Sequence, residues 1–488
     1  MKISDFLYSK GSSVIKNASY LFMAHFAGRI LSFAITIILP RYLSGGFEDL
    51  GKYFFALWLA NLLSSITELG LHTPLIRDVT TDKSKAASMI SNAFIIRIAL
   101  SFVTLIIIII LALFVYSDIS ALIIIVGIAE IMNAISQLLR CMFRAFENME
   151  FEALGVILER TAVFALGLFI VYRGYGIVAF GVAVLIASVL NLVFTLLAMS
   201  IKCTRINILL LDRFSCIQLL RSSLPYALSS ILYMAYFRID GIMLKSIMGT
   251  AGDAAMGWYG TGYSFVNALT IIPGAFMGAV FPVMSRAYCE SYRSKMDSLY
   301  TESIKLMFII VLPIVIGVSI MSDDIVMLLY PPDRFSAKDR EALSIILAIL
   351  IWSGALTFIN TVITTVFRAS DKRSALLVIT ASSLIGNFAF NLALIPRYSY
   401  IGTSVSMVIS EFIFFICGLW YVEKYVCRMS DFSFLYKSLF SSFFMLSILL
   451  TWKYVPYINK SIHFILALVI SVVAYIGIMV VIKKILQN

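Results

Sequence analysis

Charge is what this 488-residue sequence has least of. Only 13% of its residues are Asp, Glu, Lys or Arg, against 61% hydrophobic, where a soluble domain carries about 25% charged residues. A soluble chain of this length would split into two or three domains, each with a polar coat. Too few polar residues exist for that, and lipid is the remaining solvent. Histidine is scarce, at three residues. The six cysteines, Cys141, Cys203, Cys216, Cys289, Cys417 and Cys427, show neither C-x-x-C nor zinc-ligand spacing, which argues against metal and redox-motif classes. Walker A, H-E-x-x-H and G-x-S-x-G are absent, so no nucleotide-driven pump or familiar hydrolase is expected. The longest outer segment, 321–341 with Asp323, Asp324 and Asp333, is short for a sugar-processing site, and no enzyme is predicted. No cleavable signal peptide is visible, because residues 1–17 lack an apolar core.

What is present is a succession of apolar runs. A helix crosses the hydrocarbon in about 20 residues. Windows of that size predict fourteen spans, near 18–39, 51–72, 90–115, 120–143, 152–172, 176–200, 223–246, 255–283, 301–321, 342–366, 374–395, 400–422, 434–454 and 462–482. Only Arg173, Gly174 and Tyr175 part the fifth from the sixth. The net charge of +11 does not form one dense run, which excludes a nucleic-acid footprint. Basic residues gather instead at alternate junctions, as with Lys2, Lys10 and Lys16, then Arg77, Lys83 and Lys85, then Lys202, Arg205 and Arg213. By the positive-inside rule both termini are cytoplasmic.

The sequence also repeats itself. The string FRA stands at Phe143–Ala145 and again at Phe367–Ala369, and the same offset pairs Arg173 with Arg397 and Ile177 with Ile401. At a slightly shorter offset Gly51, Tyr53 and Asn61 pair with Gly257, Tyr259 and Asn267. Six spans separate the partners, so the copies share orientation. The predicted fold class is an all-α polytopic membrane protein with fourteen transmembrane helices. Two pseudo-symmetric six-helix lobes, 1–205 and 206–428, surround a central cavity, and 429–488 adds two C-terminal helices.

Polar residues in spans are costly and should face other helices or water. In the fourth span Glu130, Asn133, Gln137, Arg140 and Arg144 step by threes and fours along one face, and the tenth shows Ser353, Thr357, Asn360, Thr361, Thr364 and Arg368. Other buried candidates are Arg29, Glu68, Arg97, Glu159, Arg160, Arg238 and Asp240. Each intramembrane charge costs at least about 2.5–3.5 kcal/mol, and several arginines kept at that cost suggest an anionic ligand, since guanidinium forks match phosphate oxygens. Blander readings stand beside this one. Arg140, Arg144 and Arg368 also suit snorkelling to headgroups, Glu159 and Arg160 suit an interhelix pair, and His25 suits plain packing. His72 reads as a loop residue and His463 as a span boundary.

Several stretches then carry a resemblance: PRYLSGGFEDLGKY after the first span, ELGLHTPLIRDV after the second, YFRIDGIMLKSIMG with Arg238 and Asp240 in the seventh, FPVMSRAY closing the eighth, and LALIPRYSYIGTSVSMVISE joining the eleventh and twelfth. In order and spacing the chain resembles the polysaccharide transport branch of the multidrug/oligosaccharidyl-lipid/polysaccharide exporter superfamily, specifically the O-antigen (Wzx-type) flippases. The resemblance implies two lobes around a cavity and alternating access. It implies an undecaprenyl-diphosphate-linked oligosaccharide as substrate, moved from the cytoplasmic to the periplasmic leaflet of the bacterial inner membrane. It makes Arg29, Glu68, Arg97, Glu130, Asn133, Gln137, Arg140, Arg160, Arg238 and Asp240 the candidate substrate-binding set, with no cofactor and with coupling to H+, Na+ or the membrane potential left open. Membrane lipids, a glycan polymerase and assembly proteins are the candidate partners. Peptidoglycan-precursor and capsular exporters stay in contention, and behind them a multidrug exporter of the same fold or a membrane glycan-processing enzyme.

Overall fold

The computed structural model describes residues 3–290, 292–452 and 460–485; side chains of residues 1–18, 208, 225, 460–465, 468 and 480–485 lie outside the described residues. The N-terminal lysines, His463 and the junction between the last two predicted spans therefore fall outside it. Among the described residues there is no strand. The first eight helices are α1 (Ile3–Ile38), α2 (Gly46–Glu68), α3 (His72–Thr81), α4 (Ala86–Phe114), α5 (Ser120–Ala145), α6 (Met149–Arg173), α7 (Ile177–Lys202) and α8 (Arg213–Met248). They are followed by α9 (Gly252–Leu269), α10 (Ile271–Cys289), α11 (Arg293–Ile320), α12 (Ser322–Leu329), α13 (Ala337–Ala369), α14 (Arg373–Tyr425), α15 (Ser433–Trp452) and α16 (Lys460–Ile485). Two compact units result, Met1–Gly257 and Trp258–Asn488.

Helix α7 shows why these runs become lipid-facing helices. Val178, Val182, Ile186, Val189, Val193 and Leu197 recur every three or four residues and are all exposed. The opposite face buries Ala183, Ala187, Ser188, Asn191, Thr195 and Ala198, small or polar groups that let neighbours approach. An exposed apolar stripe over a small polar one is the reverse of a soluble helix. Among the described residues ten helical stretches are long and apolar enough to cross a membrane, or eleven if α2 and α3, bent by 43°, count as one span. The protein is a multi-pass all-α membrane protein.

Two of those ten stretches exceed one crossing. Tyr226–Cys289 runs 64 residues and Arg373–Tyr425 runs 53, where about 20 suffice for roughly 30 Å of hydrocarbon. Both contain breaks. Ser399 (φ 48°, ψ −127°), three residues after Pro396, interrupts α14. The predicted eighth span, 255–283, is two helices, α9 and α10, parted at Thr270, because Pro273 has no amide to bond back to the Leu269 carbonyl and sits instead in the first turn of the second helix, where none is needed. The fourteen-span count itself remains part of the proposal below.

Capping and turn chemistry fix several ends. Gly174, at φ 70°, terminates α6 in the left-handed region that glycine adopts without strain, which is the short separator seen in the sequence. Asp212 caps α8 by accepting from the Ser215 and Phe214 amides, and these bonds, led by the Ser215 hydroxyl, hold its carboxyl below the usual aspartate range. The repeat is written into the caps as well. After α5, Glu147 takes φ 62° and the amide of Asn148 bonds to the Phe143 carbonyl at 2.8 Å. After α13, Asp371 takes φ 52° and the amide of Lys372 bonds to the Phe367 carbonyl at 2.9 Å. The FRA strings thus end in the same cap at the same offset, with a left-handed non-glycine residue at each, a rare conformation.

Candidate functional site

Within the first unit, α2, α5, α6, α7 and α8 gather a charged interior. Glu159 of α6 is its hub and is 5% exposed. It accepts from Asn191 Nδ2 of α7 at 2.8 Å and lies 4.0 Å from Arg140 of α5 and 3.8 Å from Arg160, its neighbour on α6. The pair is therefore sequential along one helix, which corrects the interhelix reading. Glu130, half-buried on α5, accepts from the Asn133 amide and shares the electrostatic field of Glu159, Arg160 and Arg238. Tyr53 of α2 is close to Glu130, Arg160 and Glu159, its ring held edge-on to Phe180 at 5.0 Å. Arg238 of α8 lies over the buried Trp58 ring at 5.2 Å, a cation–π contact that fixes its stem.

Three guanidiniums here face two carboxylates, so the cluster is net cationic. The Nε atoms of Arg140 and Arg238 are buried and have no hydrogen-bond partner among the described residues, as has the Asn133 side-chain oxygen. Buried N–H groups left unmade are expensive, and here they are donors of the kind an anionic oxygen takes. Gly28 on α1 makes room for this arrangement: a Cβ there would stand 3.0 Å from the Arg160 side chain. The neighbouring Arg29 is exposed.

Arg97 belongs to a different cluster. It is fully buried and holds together α2, α3, α4 and α5. Its Nε and Nη2 donate to the Ala134 carbonyl at 3.2 and 2.7 Å, Nη1 to Thr67 Oγ1 at 3.3 Å, and Nη2 lies 3.4 Å from His72 Nε2. His72 is thus not in a loop but opens α3 and faces the arginine. Glu68, the last residue of α2, is half-buried and lies in Arg97's field. With these donors taken up, Arg97→Ala is expected to cost about 3–5 kcal/mol, combining a cavity with unmade bonds. Size-exclusion profiles in detergent should show loss of folded protein, not a selective loss of transport.

Of the remaining candidates, Gln137 is exposed on α5, and Asp240 is fully buried on α8. Arg144, read as snorkelling, instead forks onto buried Glu152, with contacts of 2.6, 2.9 and 3.2 Å. Glu159, Asn191, Tyr53 and Trp58 are the site residues absent from the predicted set. A lone Asn in the apolar run of α7 was the one sequence signal for Asn191.

Among the described residues of the second unit the buried polar interior is uncharged but for Glu411, which accepts from Asn360 Nδ2 at 2.6 Å. Asn387 donates to Ser410 at 3.2 Å and Asn391 to Asn387 at 2.8 Å. An open cleft lined by Ala348, Ile349, Trp352, Val405, Val408 and Ile409 offers mainly apolar surface. Among the described residues no group of three or more His, Cys, Asp or Glu could hold a metal ion, and all six cysteines are free thiols.

Comparison with known proteins places these features in a lineage. The chain is 21% identical over 434 residues to the capsular polysaccharide biosynthesis protein CapF of Staphylococcus aureus, covering 84% of this chain and all of that one. Among solved structures, it is similar to the lipid II flippase MurJ in an inward closed conformation, with a TM-score of 0.78 at 16% identity over 96% of this chain and all of that one. It is also similar to an inward-facing multidrug resistance MATE family transporter of the MOP superfamily, with a TM-score of 0.65 at 17% identity over 81% of this chain and 95% of that one. At those identities the likeness carries the fold. The MatE family model matches residues 225–393. The polysaccharide biosynthesis protein model matches residues 14–288, more than half of the sequence, and the chain belongs to that family.

Proposed function

We propose that this protein is a flippase that carries an undecaprenyl-diphosphate-linked oligosaccharide from the cytoplasmic to the periplasmic leaflet of a bacterial inner membrane. The observation that carries the reading is the guanidinium cluster around Glu159 in the first unit. Arg140, Arg160 and Arg238 outnumber Glu130 and Glu159 in that cluster, and two of its buried Nε donors have no partner among the described residues. A diphosphate is acceptor-only and doubly charged, and matches guanidinium donors in geometry and sign. Arg29, Glu68, Arg97, Asn133, Gln137 and Asp240 complete the proposed binding set, with Arg97 and Glu68 acting as supports behind it. Family membership and the MurJ-like fold support the lipid-linked class.

Within that class an O-antigen repeat unit is the first choice, and the relation to CapF supports a capsular unit as its rival. A multidrug exporter draws support from the MatE match, but an organic cation would find repulsion in an arginine-rich interior. The same proposal holds fourteen spans, lobes at 1–205 and 206–428 with 429–488 appended, and cytoplasmic termini. It also holds alternating access without a cofactor, coupled to H+, Na+ or the membrane potential, with a glycan polymerase and assembly proteins nearby. It has no catalytic step.

Arg160→Gln with Arg238→Gln tests it, because both side chains are partly exposed and Arg140 stays to balance Glu159. In a host deleted for the gene, export of surface glycan should fall at least about 10-fold, the equivalent of one good charged contact. Membrane abundance should hold, and lipid-linked intermediate should accumulate on the cytoplasmic leaflet. Normal export by an abundant double variant would refute the phosphate assignment.

A further inference from the structure

The duplicated copies differ chemically at matched positions. Carrying the FRA offset through α5 pairs Glu130, Asn133, Gln137 and Arg140 with Gly354, Thr357, Thr361 and Thr364 of α13, and carrying it into α6 pairs Glu159 and Arg160 with Ser383 and Leu384. The four charges Glu130, Arg140, Glu159 and Arg160 are thus replaced by neutral residues in the second copy, while Arg144 and Arg173 keep their arginine partners. Thr357, Thr361 and Thr364 are half-buried on one face of α13, and their hydrogen bonds give that face one polarity. Thr357 Oγ1 donates to the Ser353 carbonyl at 2.8 Å and Thr361 Oγ1 to the Thr357 carbonyl at 2.7 Å. A hydroxyl whose proton is spent on its own helix can only accept.

Asn360 stands on the same face, three residues past Thr357 and four before Thr364. Its amide nitrogen donates to Glu411 Oε2 at 2.6 Å and to the Glu411 carbonyl at 3.0 Å. Its side-chain oxygen is buried with no hydrogen-bond partner among the described residues, although the residue is only 5% exposed. Glu411 therefore takes up the Asn360 amide nitrogen and leaves the side-chain oxygen as an unused acceptor beside the threonines in sequence.

We infer that this face of α13 is a saccharide subsite, an acceptor ladder that takes the hydroxyl protons of the glycan. It deepens the flippase reading and rests on it. Phosphate oxygens are acceptors and are refused by a row of acceptors, whereas each sugar hydroxyl brings a proton to give. The α13 face of the second unit therefore discriminates for hydroxyl-bearing sugar and against phosphate. Thr357 and Thr361 are specificity-determining residues in this scheme, and Glu411 is a positioning residue acting through Asn360.

The test uses full-length protein in nanodiscs, with undecaprenyl diphosphate and undecaprenyl-diphosphate-linked N-acetylglucosamine as probes. Wild type should bind the sugar-bearing lipid about 10-fold more tightly than the bare one, as two modest hydrogen bonds provide. Thr357→Val with Thr361→Val keeps the side-chain shape and removes both acceptors. It should erase that margin while leaving affinity for the bare lipid unchanged. Thr361→Ser, which keeps an acceptor, should retain the margin, and single Thr361→Val should lose part of it if the double variant does not fold. An undiminished margin in the valine variants, or equal weakening toward both probes, overturns the subsite. If wild type binds the sugar-bearing lipid but not the bare one, the phosphate assignment fails alone, and the valine variants still decide the saccharide subsite. If it binds neither, both fall.

Discussion

Replacing Gly51 by alanine is expected to destabilise the protein by about 3 kcal/mol or more, the upper end of overpacking effects. A Cβ at Gly51 would fall 1.8 Å from the Asp253 carbonyl oxygen, and one at Gly257 would fall 1.9 Å from that of Phe47. Both obstacles are backbone, which cannot rotate away as a side chain can. The two glycines are repeat partners in the sequence and here pack against one another, with α2 crossing the start of α9 at backbone contact. Close approach of this kind needs a residue without a side chain on each helix. Gly274 and Gly278 provide the control, since a Cβ at either meets nothing within 4 Å. Thermal melting in detergent should show Gly51→Ala and Gly257→Ala far below wild type, with Gly278→Ala close to it. Equal melting temperatures for Gly51→Ala and wild type would mean that the crossing is looser than described.

Lys245→Ala should rank beside it. Lys245 Nζ lies 2.6 Å from Asp253 and 3.2 Å from Asp118, and the Lys245 and Asp253 side chains are each 3% exposed. Removing the ammonium leaves a buried carboxylate with its nearest countercharge gone, a change that typically costs about 3–5 kcal/mol. Replacing both members, Lys245→Met with Asp253→Asn, removes charge from each side and should recover most of that loss in the same melting assay. A double variant as unstable as the single would show that packing, not charge, holds this contact. In the sequence Lys245 is simply a cation near the end of the seventh predicted span, 223–246. Its partners come from the α4–α5 junction and from α9, which no local spacing connects.

The same contrast runs through the whole chain. Helical runs were legible because hydropathy and length are local. The α6–α7 turn was legible because Gly174 is a known stop signal, and the duplication because FRA recurs. The break between α9 and α10 lies inside an unbroken apolar run, where only Pro273 marks the new start, so a hydropathy window reads through it. For the site, the α5 face was legible because Glu130, Asn133, Gln137 and Arg140 share a helical spacing. Glu159 as hub was not, because its partners Asn191 and Arg140 arrive from two other helices. Arg97 shows the limit most clearly: its depth could be read from its position in the span, but its main partner is the Ala134 carbonyl, and main-chain partners leave no trace in side-chain patterns.

The matched caps at Glu147 and Asp371 show that the two copies preserve backbone detail while their side chains have diverged. A lineage built this way can be retargeted cheaply. On the proposed reading, a handful of exchanges on α5, α6 and α13 would rewrite cargo recognition, leaving crossings and caps untouched. Relatives handling differently charged cargo should therefore vary at those faces first, and hybrid transporters that swap only those residues should inherit the donor's preference with the recipient's architecture.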